Sequence, residues 1–530
     1  MAKTIIFDKE AQGALKNGVN IIANAVGSTL GPGGRTVIIS HHHLSPPFVT
    51  KDGARTCDSI TLDDDIENIG VLLIREASMK TLDDCGDGTT TTCVIAQSVI
   101  NEGLKQLSAG SNPQELKSGI EKAVESVCGT LKLLSTPVAD DNDKIRSIAT
   151  VSANNDPAIG KLIADAYLKI GAGGLLLIEE SGTLYTTIDV VEGAEVNRGY
   201  ISPEFANDKD KMVFRGNDAY VLVTDYELTS VMKDLAPIFS QMEQAGIITR
   251  PILIIAKNFD GEVFGSILKN VKQKTLNVCL AMVPNQYRVE TLEDIAVLTG
   301  ATVISDREGL KMANVLIEHL GRAEKIIASE NTTTVIGGSG DKKKIEEHKN
   351  AIKIQMEDIK DEQLKEVWRK RLGMLSGSIG QIKVGGSTEL EVKERFDRVD
   401  DAKRAVESAI EEGVVVGGGT ALIRCIDKLT NLDLFGDEKI GRDIIAKACK
   451  SPLLKMLENA GEDTSIVKEV YLSKEQNFGY NIKVKAFQNL VEGGIIDPTK
   501  VVRSALQNAA SVACGVLTSG CLIVEKKNRP

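Results

Sequence analysis

Asp87-Gly88-Thr89-Thr90-Thr91-Thr92 places one carboxylate and a glycine directly ahead of four hydroxyl side chains. The residues that follow, Cys93 to Leu107, read as a helix, with apolar side chains at Val94, Ile95, Val99 and Leu104. A helix start offers unpaired backbone N–H groups and the positive end of the helix dipole, which together suit a phosphate. Asp87 is an oxygen ligand fit for Mg2+, and the threonine hydroxyls and amides are fit to cradle phosphate oxygens. Taken singly, the stretch is also an ordinary Asp/Gly turn capped by threonines. Its meaning depends on its company.

Further turns of the same kind lie outward in both directions. Residues 9 to 28 read as a helix, with Ala11, Leu15, Val19, Ile22, Ala23 and Val26 at helical spacing. It stops at Thr29-Leu30-Gly31-Pro32-Gly33-Gly34-Arg35, where glycines permit close backbone approach to a ligand. Lys51-Asp52-Gly53 sets a cation beside a carboxylate at a turn. Asp400-Asp401 opens a helix, Gly417-Gly418-Gly419 precedes another, and Asp497-Pro498-Thr499 begins the last long one. Each alone is plain turn or capping chemistry. Together they describe a nucleotide pocket, with amides for phosphates, Asp87 for Mg2+, and Asp52 and Asp401 to orient water. No G-x-x-x-x-G-K-[ST] run and no G-x-S-x-G elbow occurs, which argues against a P-loop fold or an α/β-hydrolase. His41-His42-His43 has no carboxylate or cysteine following at ligand spacing and reads as an exposed loop before Pro46-Pro47.

The helical character of the first block continues at 66 to 80, 89 to 108 and 114 to 134, ending at Ser135-Thr136-Pro137. The middle changes. Short apolar runs at Gly174 to Glu179, Ala219 to Thr224, Pro251 to Ala256, Leu276 to Val283 and Ala301 to Ile304 alternate with helical stretches at 230 to 245, 261 to 273 and 291 to 299. That is α/β patterning around a sheet. Residues 341 to 372 form a charged helical stretch whose interleaved acids mark a solvated face, not a nucleic-acid patch. Helices return at 400 to 412, 418 to 428, 441 to 460 and 499 to 514. The order predicts a multidomain α+β chain in which the two helical ends pack together and the α/β insert projects outward.

Composition narrows the function. The 530 residues carry a net charge of -11, which argues against a general nucleic-acid or anionic-membrane binder, since no basic face dominates. No apolar run approaches the roughly 20 residues that span a bilayer. The start, Met1 to Phe7, lacks the apolar stretch of a signal peptide and the Arg/Ser richness of a transit peptide. Nine cysteines without a C-x-x-C pair fit a reduced, cytoplasmic chain, not a disulfide framework or a zinc site.

Taken in order, these motifs resemble a GroEL-type (group I) chaperonin over essentially the whole chain. The matching stretches are Thr29-Leu30-Gly31-Pro32, Thr50-Lys51-Asp52-Gly53, Gly86-Asp87-Gly88-Thr89-Thr90-Thr91 and Val190-Val191-Glu192-Gly193. Arg198-Gly199-Tyr200-Ile201-Ser202-Pro203, Glu411-Glu412-Gly413-Val414-Val415 with Gly417-Gly418-Gly419, and Asp497-Pro498-Thr499-Lys500-Val501 follow. Arg198 to Pro203 and Ile495 to Arg503 favour group I over group II.

The resemblance implies three domains. An equatorial ATP-binding domain would comprise 1–135 and 412–530, an intermediate hinge domain 136–191 and 379–411, and an α/β apical client-binding domain 192–378. It implies ATP and Mg2+ as cofactors, with K+ as a further cation. Thr29, Leu30, Gly31, Pro32 and Lys51 would lie near the phosphates, Asp87 would bind Mg2+, and Gly88, Thr89, Thr90 and Thr91 would cradle phosphate oxygens. Asp52 and Asp401 would position the attacking water, and Gly418, Gly419, Asn481 and Asp497 would meet base and ribose. Non-native client proteins would contact Tyr200, Phe205, Ile238, Phe239, Phe264, Ile267 and Leu268. Phe264, Ile267 and Leu268 share one helical stripe, and such a stripe is more often core; only the resemblance turns it outward. Pro137, Gly193, Gly377 and Gly413 fall at the hinges. The subunits would form seven-membered homo-oligomeric rings, single or double.

Several positions depart from the family pattern. Gly33 stands for the usual lysine, and Glu204 and Lys269 stand for a tyrosine and an aliphatic residue in the client groove. Pro284-Asn285-Gln286-Tyr287-Arg288 shortens a glycine-containing segment, and Leu454 replaces a basic residue that helps join rings. Lys527-Asn528-Arg529-Pro530 stands in place of a Gly-Gly-Met tail. These changes leave the co-chaperonin lid and the double ring open, and a specialised second copy or a virally encoded version would fit such drift. Two other readings stand beside the folding chamber: a ring that holds clients or scaffolds assembly with ATP as a switch, and a monomeric small-molecule kinase.

Overall fold

The computed structural model describes residues 3–40, 47–138, 141–153, 156–171, 175–181, 183–196, 198–209, 211–283, 287–359, 364, 367–368, 371–372, 375, 378–473 and 475–525. His41 to His43, Pro284-Asn285-Gln286, Gly377 and Lys527 to Pro530 lie outside them. The chain divides into two compact units, one from Met1–Asp165 with Lys393–Pro530, the other from Ala166–Val392.

The first unit is built of long helices around one apolar core. Leu15, Val19 and Ile22 of helix Asp8–Gly27, Ile74 of Glu67–Cys85, Val99 and Ile100 of Thr89–Ser108, Leu116 and Ile120 of Pro113–Leu134, and Leu506 and Ala513 of Thr499–Thr518 are all fully buried in it. Two crossings use glycine to bring backbones together. A Cβ on Gly18 would lie 1.9 Å from the Glu67 carbonyl oxygen, and one on Gly119 would lie 2.1 Å from that of Glu438. Helix Pro113–Leu134 starts where the residues dictate: the Asn112 side chain accepts from the Gln114 amide at 2.9 Å and Pro113 takes the first position. The helix predicted over 441 to 460 is two, Asp437–Ala448 and Ser451–Ala460. Pro452 has no N–H for a continuing helical ladder and fits only a new first turn.

This unit also holds four two-stranded ribbons among the described residues, two of which expose apolar side chains. In those two, Lys3–Phe7 pairs antiparallel with Cys521–Glu525, and Val37–Ile39 with Phe48–Thr50. Their exposed cross-strand pairs are Ile5 opposite Ile523, and Ile38 (71% exposed) opposite Val49 (59%).

The second unit carries an eight-stranded mixed sheet. Its spatial order is Val278–Met282, Ile252–Ala256, Phe214–Val223, Gly321–Ala328, Thr333–Gly338, Thr187–Val196, Ser378–Val384 and Leu175–Glu180. Phe205, Phe214, Ile254 and Leu280 lie in its buried core. Glu179 at one edge meets Lys325 and Arg215 of two central strands, so the sheet curls strongly. Gly193 sits where strand Thr187–Val196 changes partners, from Ser378–Val384 to Thr333–Gly338. The run Ala301 to Ile304 is not a strand; it contributes one bridge, Ile304 to Thr224. The mixed α+β fold class predicted from the residue pattern is the one observed.

All nine cysteines are unpaired, and Cys521 alone is exposed. No helix among the described residues is long and apolar enough to cross a membrane.

Candidate functional site

Four carboxylates from four distant parts of the sequence converge in the first unit. The Asp87 turn is set by two left-handed glycines. Gly86 (φ 75°) ends helix Glu67–Cys85, and Gly88 (φ 93°) starts Thr89–Ser108, a conformation that a side chain would strain. The Gly88 amide donates to Asp87 Oδ1 at 2.6 Å, and Ser152 Oγ donates to Oδ2 at 3.4 Å. Behind the turn the Thr92 hydroxyl lies 2.9 Å from the Gly88 carbonyl and donates to Thr81 Oγ1 at 3.1 Å, and Asn508 donates to Thr81 at 2.9 Å. Thr92 is therefore a buried brace, while Thr90 and Thr91 are half-buried.

Asp52 caps the short helix Gly53–Ser59, accepting from the amides of Ala54 (3.0 Å) and Arg55 (3.1 Å). Gly53 is the close-approach point: a Cβ there would lie 1.9 Å from Thr90 Oγ1 and 3.6 Å from Thr29 Oγ1. The 29–32 loop, the Asp52 turn and the Thr89–Thr91 helix start therefore meet at one spot. Thr29 is buried, Leu30 is half-buried, and Gly31, Pro32 and Lys51 are exposed.

Asp401 arrives on helix Glu389–Glu412. Ser408 Oγ donates to the Cys85 carbonyl at 2.9 Å, and a Cβ on Gly86 would lie 1.9 Å from Arg404 Cβ, so this helix lies directly on the Asp87 turn. Asp397 on the same helix pairs with Arg55 beside Asp52. Asp497 is placed by strand Ile496–Pro498, which pairs with Val414–Val416, and its carboxylate accepts from the Gly418 amide. Gly418 and Gly419 lead into helix Thr420–Leu429. Gly479 packs against Thr420 and Leu490, bringing the Phe478–Asn481 strand to this side; the Asn481 side chain accepts from the Lys483 amide at 3.0 Å.

The electrostatics record the convergence. Burial, then the charges of Asp87, Asp52 and Asp400, push the Asp401 carboxyl up to about 8, against a smaller pull from Arg404. Burial and Asp87 raise Asp497 to about 7. Asp87 is raised too, by burial first and by Asp52 in part, despite its hydrogen bonds. Such crowding of acids is relieved by a cation. Among the described residues no three His, Cys, Asp or Glu side chains form a metal cage by themselves. The donor set fits a hard cation held by one carboxylate together with phosphate or water oxygens.

The seven apolar positions expected at a client groove fall in two groups in the second unit. Tyr200, Phe205, Ile238 and Ile267 are buried in its core, whereas Phe239, Phe264 and Leu268 are half-buried at its margin. For the first four an outward-facing role does not match their placement: the Phe205 ring packs edge-on against Phe264 at 6.0 Å, and Tyr200 OH donates to the Met212 carbonyl at 2.8 Å. Glu204 is paired with Lys272, and Lys269 is exposed. Gly33 also has a local reason: a Cβ there would lie 2.6 Å from Ala460 Cα. Sequence reading missed Ser152, Arg404 and the Thr81–Thr92–Asn508 brace, whose partners are remote along the chain.

Known proteins resemble this chain along nearly its whole length. The model of the TCP-1/cpn60 chaperonin family matches residues 22–527. The chaperonin gp146 of bacteriophage EL 2 (Pseudomonas aeruginosa), crystallised in the presence of ATP-BeFx, has a similar fold in two crystal forms. One gives a TM-score of 0.76 at 23% identity, with 99% of each chain covered. The other gives 0.68 at 22% identity, with 99% of each covered.

Proposed function

This chain belongs to the TCP-1/cpn60 chaperonin family, whose members are ATPases that assist protein folding, and we propose that it is an ATP-driven, ring-forming chaperonin subunit. The observation that carries the reading is the meeting of Asp52, Asp87 and Asp401 beside the Thr29, Gly53 and Thr90 contact. Phosphoryl transfer to water needs positioning and charge neutralisation, with no covalent nucleophile. The Thr89–Thr91 helix start and the 29–32 loop present amides and hydroxyls to the phosphates, with Lys51 alongside. Gly418, Gly419, Asn481 and Asp497 line the base and ribose side. Bound Mg2+, held through Asp87, supplies the positive charge that neutralises the phosphate oxygens and favours ionised carboxyls around it. Asp52 and Asp401 then accept hydrogen bonds from the attacking water and aim it. A neutral Asp401 would donate instead, so this role belongs to its ionised form. K+ is a second candidate cation in the same acid-rich pocket.

The three-domain division, with hinges near Pro137, Gly193 and Gly413, is part of this reading. A cytoplasmic setting is consistent with the unpaired cysteines. Ring assembly is supported by the two ribbons, which carry no third strand among the described residues and whose exposed Ile5–Ile523 and Ile38–Val49 pairs suit strand pairing with a second copy. In the second unit Phe239, Phe264 and Leu268 form the apolar face offered to non-native clients. The buried Tyr200, Phe205, Ile238 and Ile267 support that face from beneath.

Phosphate release measured beside retention of labelled ATP tests the proposal. Asp401→Ala should lose turnover and keep ATP binding. Normal hydrolysis by that variant would refute the assignment. Unimpaired client refolding without turnover would favour a holding or scaffolding ring switched by ATP.

A further inference from the structure

The loop that ends helix Asp8–Gly27 is tied to that helix and across itself, and its Leu30 carbonyl faces a distant helix. The Leu30 amide donates to the Gly27 carbonyl at 3.2 Å, Gly34 to Gly31 at 2.9 Å, and Arg35 to Ser28 at 2.8 Å. Thr29 also donates to the Val26 carbonyl through its amide (3.1 Å) and lies 2.8 Å from it through its hydroxyl, and helix Ser451–Ala460, more than four hundred residues later, adds support from outside. The Asn459 side-chain amide donates to the carbonyls of Gly27 and Leu30, at 2.9 Å each. A Cβ on Gly31 would lie 2.6 Å from Met456 Cγ, and one on Gly33 would lie 2.6 Å from Ala460 Cα. The other end of the same helix touches the Gly418–Gly419 turn, where a Cβ on Gly419 would lie 3.0 Å from the Leu453 nitrogen.

An asparagine amide has two N–H groups, and here both are spent on carbonyls at a helix end, where such carbonyls lack intrahelical partners. Aspartate at this position would set acceptor against acceptor. Alanine would leave the Leu30 carbonyl without that donor and the Thr29–Pro32 segment without its clamp.

Building on the nucleotide reading above, we infer that Asn459 is a positioning residue for phosphate binding, fixing the 29–32 loop where its backbone can meet the nucleotide. The residue touches no nucleotide itself. Its effect should therefore fall on ligands with phosphates and spare those without. Two neutral hydrogen bonds correspond to roughly a tenfold to thirtyfold change in an equilibrium constant.

The test uses the full chain, with Asn459→Ala and Asn459→Asp compared to the unsubstituted protein for ATP turnover and for ADP and adenosine affinity. Asn459→Ala should raise the KM for ATP and weaken ADP by about tenfold or more, leave adenosine affinity unchanged, and lower kcat less than it raises KM. Asn459→Asp should do worse than alanine. Equal losses for ADP and adenosine, or an unchanged KM, would overturn the inference. Failure of the unsubstituted protein to bind ATP would sink the nucleotide reading itself. Should the variants not fold, hydrogen exchange on the unsubstituted protein decides: ATP should slow exchange in 27–35 and in 451–460 together. Protection that leaves 27–35 unaffected would overturn the inference.

Discussion

Replacing Asp401 with asparagine should stabilise the nucleotide-free protein, and increasingly so as pH rises. The carboxyl is pushed up to about 8 in the fold, from the 3.8 of an ordinary aspartate, by burial and by Asp87, Asp52 and Asp400. A raised carboxyl means that the folded state binds more protons than the unfolded chain between these values. Stability from this group therefore falls as pH climbs through that window and levels off above about 8. At about 1.36 kcal/mol per unit, the shift sets a ceiling of roughly 6 kcal/mol. Asp401 keeps some solvent contact and shares protons with its acidic neighbours, so a realistic effect is on the order of 2 kcal/mol. For a chain of 530 residues each kcal/mol is worth about 1 °C in Tm. Thermal melts of Asp401→Asn and the unsubstituted protein at pH 5 and pH 8.5 should show a gap that widens by about 2 °C at the higher pH. Mg2+ and ATP should narrow the gap, because the neighbouring charge is then neutralised. A gap that is constant with pH, or one that favours aspartate at pH 8.5, would refute the idea of a crowded carboxylate pocket.

Gly53→Ala puts a methyl group 1.9 Å from Thr90 Oγ1. It should weaken ATP binding at least about tenfold, as titration with labelled ATP would show, because the displaced residues are those proposed to line the phosphates. Restoring the family's lysine through Gly33→Lys should destabilise by about 1–3 kcal/mol in denaturant titration, since its Cβ would press on the Ala460 backbone. Ile38→Lys leaves the core untouched, because Ile38 is 71% exposed. It should shift sedimentation toward smaller species without lowering the Tm of the dissociated chain.

Local chemistry was legible in the sequence wherever it depends on neighbours along the chain. Asp87 to Thr92 forms the expected turn and helix start because glycines at 86 and 88 leave the backbone little choice. Likewise, the Gly261–Lys272 and Thr499–Thr518 helices appear where their apolar spacing puts them. Features decided by distant partners were not legible. Strand Gly321–Ala328 mixes Arg322, Glu324 and Lys325 with apolar residues and so lacks a continuous apolar run. One edge pairs with the nearby strand Thr333–Gly338, but the other is fixed by Phe214–Val223, a hundred residues away. The Thr92–Thr81–Asn508 brace and the Asn459 clamp join residues that nothing in local spacing connects. Periodicity alone made Phe264, Ile267 and Leu268 core residues, and the fold divides them: Ile267 inside, the other two at the margin.

Native mass tests most directly whether identical subunits form a ring that turns over ATP. Light scattering with and without Mg2+ and ATP should give about seven or fourteen times the subunit mass of 57.0 kDa. A monomer under both conditions would contradict the account and leave an ATP-binding protein with no chamber.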